Sequence, residues 1–414
     1  MLKKLFDSVL REGRFTVILP NGASESCGSD DPHVAIKLHD WRSVAELAIH
    51  PDLKLGELYM DGRLTIVDGD LESLLALLMR SLELSPPSGL HGLLRSFRRV
   101  TRPLAQFNPM SRAKKNVAHH YDLSGQLYAL FLDRDRQYSC AYFPQGDEGL
   151  DEAQIAKKRH IAAKLLLDKP GLKVLDIGCG WGGLALDLAR DAHADVLGIT
   201  LSQEQVGVAR ERSEKARLAD RCRFELVDYR ALTGTYDRIV SVGMFEHVGL
   251  PHYPAFFKKI RDLLVEDGVM LLHTIGRLDG PGSTNPWITK YIFPGGYAPA
   301  LSEIMPAIEK SGLKITDVEV LRLHYAKTLG EWRRRFNQHR AEIASIYDER
   351  FCRMWEFYLV GAEMAFRYDG EVVFQIQLAK RQDVIPLTRD YMFDAERTMN
   401  FAGVDHAQRP FRAA

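Results

Sequence analysis

The chain has 414 residues, of which 46% are hydrophobic and 27% charged, and its 55 basic side chains balance 55 acidic ones. This composition is typical of an ordinary globular protein, long enough for two or three domains. A net charge of zero gives no reason to expect a nucleic-acid-binding protein. The five cysteines are scattered without a CxxC pair, so neither a disulfide framework nor a zinc or other metal site is expected.

The N-terminus and the overall hydropathy predict a cytoplasmic protein. Asp7, Arg11 and Glu12 interrupt the apolar residues of the N-terminus, which is too charged for a signal peptide. No run of 18 apolar residues is present, so no membrane span is expected.

Residues 1–83 predict a small mixed α+β domain. The stretches RFTVILPNG and HVAIKLHD alternate apolar and polar side chains, as half-buried strands do. A helical stretch then turns at Pro51 and again at Asp61 and Gly62. The stretch RLTIVDGDLESLLALLMRSL predicts a strand, a tight turn and an amphipathic helix capped by Asp70.

Residues 84–115 form a basic linker that contains no acid. Its positive charges are Arg95, Arg98, Arg99, Arg102, Arg112, Lys114 and Lys115. Apolar residues recur beside them at helical spacing, namely Leu90, Leu93, Leu94, Phe97 and Val100. Two interpretations stay open: a basic amphipathic segment attracted to an anionic membrane surface, or a solvated connection between domains.

Residues 116–385 are predicted to form a second domain. From about residue 150 onward its strands alternate with helices, which predicts a parallel sheet with both faces covered. The strand candidates are LKVLDIG, ADVLGITL, CRFELVD, YDRIVSVG and GVMLLHTI. A long, aromatic-rich helical insertion is expected at about 330–367. Residues 386–414 show weak periodicity and predict a loosely held C-terminal tail.

The stretch VLDIGCGWGG, residues 174–183, places a glycine-rich turn between a strand and a helix, a geometry that binds nucleotides. Its spacing is not GxGxxG, and it lacks the Lys-Ser/Thr pair of a phosphate loop. It resembles motif I of the class I S-adenosylmethionine-dependent methyltransferases. The resemblance implies a doubly wound, mostly parallel α/β sheet and a cofactor site formed by Asp176, Gly178, Gly180, Thr200, Leu201, Ser202, Gln205, Asp228 and Tyr229. For each position alone, an ordinary polar loop residue is the alternative.

Six segments, taken in their order along the chain, indicate which methyltransferase family the sequence resembles. They are AHHYDLS, YSCAYF, VGMFEHVG, LLHTIG, KYIFPGG and HYAKTL. Over about residues 100–380 they resemble the cyclopropane-fatty-acyl-phospholipid synthases and their mycolic-acid relatives, and LGELYMDG resembles the N-terminal extension of the phospholipid-acting members. This resemblance adds Tyr138, Ser139 and His247 to the cofactor site. It also implies a bound bicarbonate held by Cys140, Glu246, His273, Ile275 and Tyr325, with the cysteine and isoleucine acting through main-chain groups.

The implied reaction transfers a methylene from S-adenosylmethionine to the cis double bond of an unsaturated phospholipid acyl chain. The double bond is a poor nucleophile, so the site must supply proximity, a base and protection of a carbocation from water. Tyr291, Phe293, Tyr297 and Phe366 are candidates to face the cation or an acyl tunnel, with plain core packing as the alternative. The N-terminal domain is expected to assist docking on the inner face of the membrane or formation of a homodimer.

Each of these site residues also has a structural interpretation. Glu246 fits a helix start, His273 a buried core histidine, Cys140 a buried thiol and Tyr325 an edge-strand tyrosine. At the level of function, the alternatives are a lipid C-methyltransferase with a methyl-branched or otherwise modified product, an inactive lipid-binding protein and a small-molecule N- or O-methyltransferase.

Overall fold

A computed structural model describes residues 6–7, 10–28, 31–84 and 125–399. Two compact units are present. The first unit contains the described residues up to 84 together with 282–296 and 329–371. The second unit contains 125–281, 297–328 and 372–399. The basic linker at 84–115 lies outside the described side chains, as does Tyr121 in the segment AHHYDLS.

The strands are β1 Arg14–Ile18, β2 Ser24–Gly28, β3 His33–Leu38, β4 Leu64–Asp68, β5 Lys173–Ile177, β6 Asp195–Thr200, β7 Cys222–Leu226, β8 Tyr236–Val242, β9 Leu264–Arg277, β10 Lys314–Leu321 and β11 Glu371–Ala379. The helices are α1 Trp41–Ile49, α2 Pro51–Met60, α3 Leu71–Leu84, α4 Gly125–Phe131, α5 Leu150–Lys164, α6 Gly183–Asp191, α7 Gln203–Lys215, α8 Tyr253–Leu263, α9 Pro286–Tyr291, α10 Leu301–Ser311, α11 His324–Gln338, α12 Arg340–Ile346, α13 Glu349–Tyr368 and α14 Asp390–Thr398. None of the helices in the described part of the chain is long and apolar enough to cross a membrane.

The first unit is built on a four-stranded sheet in the order β2-β1-β3-β4. Phe15 and Val17 of β1 are buried between outward-facing neighbours, as their alternation in the sequence predicts. They share one apolar core with α3 and with Val360 and Met364 of α13. Residues far apart in the sequence therefore complete the core of the N-terminal fold.

Asp70 caps α3 as predicted, because its Oδ1 accepts a hydrogen bond from Ser73 N at 2.7 Å. We expect Asp70→Ala to lower the free energy of unfolding by about 1 kcal/mol, since a helix N–H loses its acceptor. Asp70→Ser, which keeps a side-chain oxygen, should recover most of that loss. Urea unfolding of the full chain followed by tryptophan fluorescence checks this, and equal midpoints for wild type and Asp70→Ala would contradict it.

The second unit contains a seven-stranded sheet in the order β10-β11-β9-β8-β5-β6-β7. The five strands from β9 to β7 run parallel, and β10 is antiparallel to β11. Val174 belongs to one apolar core and Leu175 and Ile177 to another, so both faces of the sheet are covered. The doubly wound, mostly parallel α/β fold is confirmed. Strand order reverses between β5 and β8, where ligands bind at the carboxyl ends of strands in such folds.

Three segments differ in detail from their predictions. The helical insertion at about 330–367 is three helices, since the chain breaks at His339 and again at Asp348, which caps α13. Strands β10 and β11 were not predicted. Part of the expected tail is α14, whose Met392 is buried.

Candidate functional site

The glycine-rich turn after β5 is held close to the neighbouring strand. The backbone N–H groups of Gly178 and Cys179 both donate to Ile199 O of β6, at 2.9 and 3.0 Å. Gly178 has a φ of 83°, and a Cβ on it would lie 2.9 Å from the Cβ of Met244. A side chain there would be strained and crowded, which explains why the turn requires glycine.

A pocket opens above this turn at the carboxyl ends of β5, β6, β7 and β8. The residues predicted from the sequence that line it are Tyr138, Ser139, Asp176, Gly178, Gly180, Thr200, Leu201, Gln205, Asp228, Tyr229 and His247. Ser202 is absent from the lining; its hydroxyl instead caps α7 by accepting from Gln205 N at 3.3 Å. The structure thus brings residues spread over more than one hundred positions to one place.

Several lining residues were missed by sequence reasoning, including Arg136, Gln137, Trp181 and Arg230. Trp181 is a residue of the glycine turn to which the sequence assigned no role. Its indole Nε1 donates to Glu204 Oε2 at 2.9 Å, which ties the turn to α7. The indole also contacts the ring of Tyr128, with centroids 5.0 Å apart.

Dinucleotide-binding folds carry an acid for the ribose hydroxyls at the end of the second strand. At the corresponding end of β6 this chain has neutral polar groups instead. Thr200 Oγ1 donates to Gln205 Oε1 at 2.7 Å and accepts from Ser202 N at 3.1 Å. At the end of β7, Arg230 donates twice to the carboxylate of Asp228, at 2.6 and 2.8 Å. The pocket therefore offers hydroxyl and amide groups at the end of β6, and at the end of β7 a carboxylate paired with an arginine.

Asp176 is a buried carboxylate at the base of the pocket. Its Oδ2 has no hydrogen-bond partner among the described residues. Burial raises the pKa of Asp176 to about 7, and the nearby ammonium of Lys157 opposes that rise. A cationic ligand group would supply the missing partner and favour the ionised carboxylate.

This burial gives a pH-dependent prediction for the ligand-free protein. The folded-state pKa of Asp176 is raised to about 7, so its contribution to stability is present below the unfolded value and lost as pH rises through about 7. Asp176→Asn cannot ionise, so its stability relative to wild type should be higher at about pH 9 than at about pH 4, by roughly a few kcal/mol at most. Thermal unfolding at both pH values checks this. Parallel pH dependence in the two proteins would contradict it.

A second polar cluster lies at the carboxyl ends of β8 and β9. Glu246 follows β8 in a short 3₁₀ turn, and its Oε1 accepts from Ile275 N of β9 at 2.6 Å. The main-chain N–H of Gly243 donates to His273 O at 3.0 Å, which joins the two strand ends. Glu246 Oε2 and His273 Nε2 are buried and have no hydrogen-bond partner within the described ranges.

Burial dominates the electrostatics of this cluster. It raises the pKa of Glu246 to about 7, because the charged form loses its hydration. Burial, with Lys157 and Lys164 nearby, holds the pKa of His273 well below its usual range. The imidazole is therefore neutral at physiological pH, with one nitrogen able to donate and the other able to accept.

A hydrogen bond joins the two segments that carry Cys140 and Tyr325. Ala141 N donates to Thr328 Oγ1 of α11 at 3.0 Å, one helical turn after Tyr325. Burial raises the pKa of the Cys140 thiol far above its usual range, so the thiol is protonated. Both side chains are at least nine-tenths buried.

The structure adds two details to this set. Tyr325 lies in the first turn of α11, so its structural alternative as an edge-strand tyrosine is wrong. The main-chain N–H of Ile275 donates to the carboxylate of Glu246.

The four aromatic candidates do not share one unit. Tyr291, Phe293 and Phe366 belong to the first unit, where the Tyr291 hydroxyl donates to Glu57 Oε1 at 2.9 Å. Tyr297 belongs to the second unit, and its main-chain N–H donates to Glu246 O at 3.0 Å. It supports the turn that carries Glu246.

A family model agrees with this combination of fold, pocket and polar cluster. The model described as mycolic acid cyclopropane synthetase matches residues 109–376. The chain belongs to this family. A second model, described as a domain of unknown function, matches residues 1–84. The chain is therefore an S-adenosylmethionine-dependent methyltransferase of the cyclopropane synthase family, as the sequence predicted.

Three individual relatives are named as fatty acid methyltransferases or cyclopropane synthases. The chain is 40% identical over 289 residues to a probable fatty acid methyltransferase of Pseudomonas putida, covering 67% of this chain and 73% of the relative. It is 41% identical over 276 residues to the cyclopropane-fatty-acyl-phospholipid synthase of Escherichia coli, covering 66% and 70%. A solved mycolic acid cyclopropane synthase complexed with SAH and CTAB is 35% identical, with a TM-score of 0.61 over 66% of this chain and 99% of that one.

Proposed function

We propose that this member of the family transfers a methylene from S-adenosylmethionine to the cis double bond of an unsaturated phospholipid acyl chain, giving a cyclopropane fatty acid. The observation that carries the proposal is the pair of buried, unpartnered polar atoms, Glu246 Oε2 and His273 Nε2, at the strand end next to the pocket. An enzyme that only methylates a ready nucleophile has less need of such a pair.

The pocket fits S-adenosylmethionine. The unpartnered carboxylate oxygen of Asp176 suits the ammonium of the amino-acid moiety, and the Thr200 and Gln205 side chains suit hydroxyl groups. Asp228 and Tyr229 line the side where an adenine ring would lie. When bound, the sulfonium supplies an electrophilic methyl group.

The reaction needs a base, since one proton must leave the transferred methyl group before the ring can close. The chain's own groups fit a bound bicarbonate in that role. A neutral His273 and the Tyr325 hydroxyl can donate to an oxyanion, and Glu246 Oε2 can accept from an acidic hydroxyl. We infer that these three side chains hold the ion, while Ile275 positions Glu246.

Burial of the cluster would also protect a carbocation. Cys140, Glu246, His273 and Tyr325 each expose less than a tenth of their surface. Water that entered would capture the cation as an alcohol, so a dry site favours ring closure.

A second outcome is supported by one of the relatives, which is named a probable fatty acid methyltransferase. The same carbocation gives a methyl-branched olefin if a proton is lost from a neighbouring chain carbon. It gives a methylene product if a hydride shifts to the cationic carbon before a proton leaves the transferred methyl group. A lipid C-methyltransferase of that kind is the alternative function.

We further propose that the enzyme works on the inner face of the membrane and contacts its anionic surface through the acid-free basic segment 84–115. Seven arginines and lysines there match an anionic surface. Flotation with anionic vesicles should fall as salt rises and should be weaker with neutral vesicles. Binding that is unchanged at high salt would contradict an electrostatic attachment.

The test of the proposed function uses the purified full chain, labelled S-adenosylmethionine and vesicles of cis-unsaturated phospholipid. Mass spectrometry of the acyl chains should show the gain of one CH2 and loss of olefin reactivity. A labelled product that still reacts as an olefin selects the alternative function. No labelled lipid under any condition refutes both and favours an inactive lipid-binding protein or an enzyme with a small-molecule acceptor.

A further inference from the structure

Behind His273, a buried row of polar side chains connects three elements of the second unit. His273 Nδ1 lies 3.1 Å from Gln375 Nε2 of β11. Gln375 Oε1 lies 2.8 Å from the ammonium of Lys164, the last residue of α5. Gln375, Lys164 and His273 are each at least 98% buried. None of these neighbours was assigned a role by the sequence or by the family resemblance.

Lys164 fixes the orientation of the Gln375 amide. An ammonium group donates hydrogen bonds and accepts none, so the amide atom that faces it must be the carbonyl oxygen. The amide NH2 therefore faces His273 Nδ1 and donates to it. A rotated amide would point two donors at a buried cation, at the cost of an unmade hydrogen bond in the interior.

Further contacts hold Lys164 in place. Its ammonium also contacts Glu319 Oε2 of β10, and Glu319 accepts from His160 Nε2 at 2.7 Å. His160 Nδ1 is in turn bonded to Glu396 of α14. Carboxylates accept and do not donate, so the contact with Glu319 keeps the lysine in its donating role, and His160 holds Glu319 in place.

The orientation of the Gln375 amide determines which ring nitrogen of His273 carries the proton. A neutral imidazole whose Nδ1 accepts a hydrogen bond carries its proton on Nε2. We propose that Gln375, oriented by Lys164, is a positioning residue that holds His273 as the Nε2–H tautomer, so that this N–H is donated into the candidate reaction site. The inference rests on the proposed function for the identity of the acceptor, but the tautomer itself can be measured without it.

The experiment is NMR of the full chain with ring-¹⁵N-labelled histidine, in which a His273→Gln variant assigns the His273 signals. We expect wild type to show a protonated Nε2 and an unprotonated Nδ1. Gln375→Glu should move the proton to Nδ1 or protonate both nitrogens, because a carboxylate beside Lys164 accepts only. Lys164→Met should release the amide and give mixed tautomers.

A matched control is Gln382→Glu, the same substitution at an exposed position just after β11. It should leave the His273 signals unchanged. In the lipid assay, Gln375→Glu should lower kcat by about tenfold or more while the Kd for S-adenosylmethionine stays within about twofold. Circular dichroism and thermal unfolding show whether each variant folds.

The outcomes separate this inference from the proposed function. An Nδ1–H tautomer in wild type overturns the inference, as does an Nε2–H tautomer that neither Gln375→Glu nor Lys164→Met changes. If the tautomers behave as expected but no lipid is modified, the proposed function fails while the role of Gln375 stands.

Discussion

Glu246→Gln is expected to lower kcat for lipid modification by about 10²- to 10⁴-fold, the range typical of a lost acid–base group. The variant is nearly isosteric, and its amide oxygen can still accept from Ile275 N, as Glu246 Oε1 does at 2.6 Å. What changes is the other atom, since the unpartnered acceptor Oε2 becomes a donor. The measurement is the initial rate with unsaturated phospholipid vesicles.

The same variant should leave cofactor binding intact, because Glu246 does not line the cofactor pocket. Calorimetry should give a Kd for S-adenosylmethionine close to that of wild type. Glu309→Gln, an exposed substitution on α10, serves as the control and should keep full rate. A Glu246→Gln enzyme with the wild-type rate would show that the carboxylate has no part in the reaction.

The pH dependence gives an independent readout for Glu246. Burial raises its pKa to about 7, and acceptance from an acidic hydroxyl requires the ionised form. The wild-type rate should therefore rise with pH through about 7, and this limb should be absent from the residual activity of Glu246→Gln.

His273→Ala is expected to lower kcat by about 10²- to 10³-fold, the typical cost of removing one donor aimed at an anion in a dry site. The imidazole is neutral and buried, so the variant loses a directed N–H rather than a charge. Binding of S-adenosylmethionine should persist, because His273 does not line the cofactor pocket. Steady-state rates and calorimetry check the two halves of this prediction.

The alanine variant also leaves a cavity in β9, so folding must be separated from catalysis. His273→Gln, which keeps a donor in the same volume, should fold at least as well and retain more of the rate. His39→Ala, at an exposed position of the first unit, should behave as wild type. Full activity of folded His273→Ala would remove the histidine from the proposed mechanism.

Much of the fold follows from patterns that are local in the sequence. The apolar strand Lys173–Ile177 and the glycine turn after it define the central strand and the cofactor edge of the sheet. Strand β11 was not predicted because its buried Gln375 and Gln377 interrupt an apolar run with polar side chains. Their partners lie on α5, β9, β10 and α14, outside the strand itself, so nothing local indicated that they were satisfied.

Some residues of the candidate site could be predicted from local sequence motifs, and others could not. Motif positions such as Asp176 and Gly178 could be assigned because they belong to the glycine-rich stretch whose resemblance to a methyltransferase motif implied a cofactor site. Arg136 and Gln137 could not, since they precede the first strand of the sheet and reach the pocket only through the tertiary fold. Nor could the contact of Ile275 N with Glu246, because no pattern in the sequence shows which N–H faces which carboxylate.

The most direct test of the proposed ring formation uses S-adenosylmethionine with a trideuterated methyl group and vesicles of a cis-monounsaturated phospholipid. If one deuteron leaves the transferred methyl and the ring closes, the product carries CD2 and no longer reacts as an olefin. A product that keeps all three deuterons, or keeps an olefin, would contradict cyclopropane formation by this enzyme.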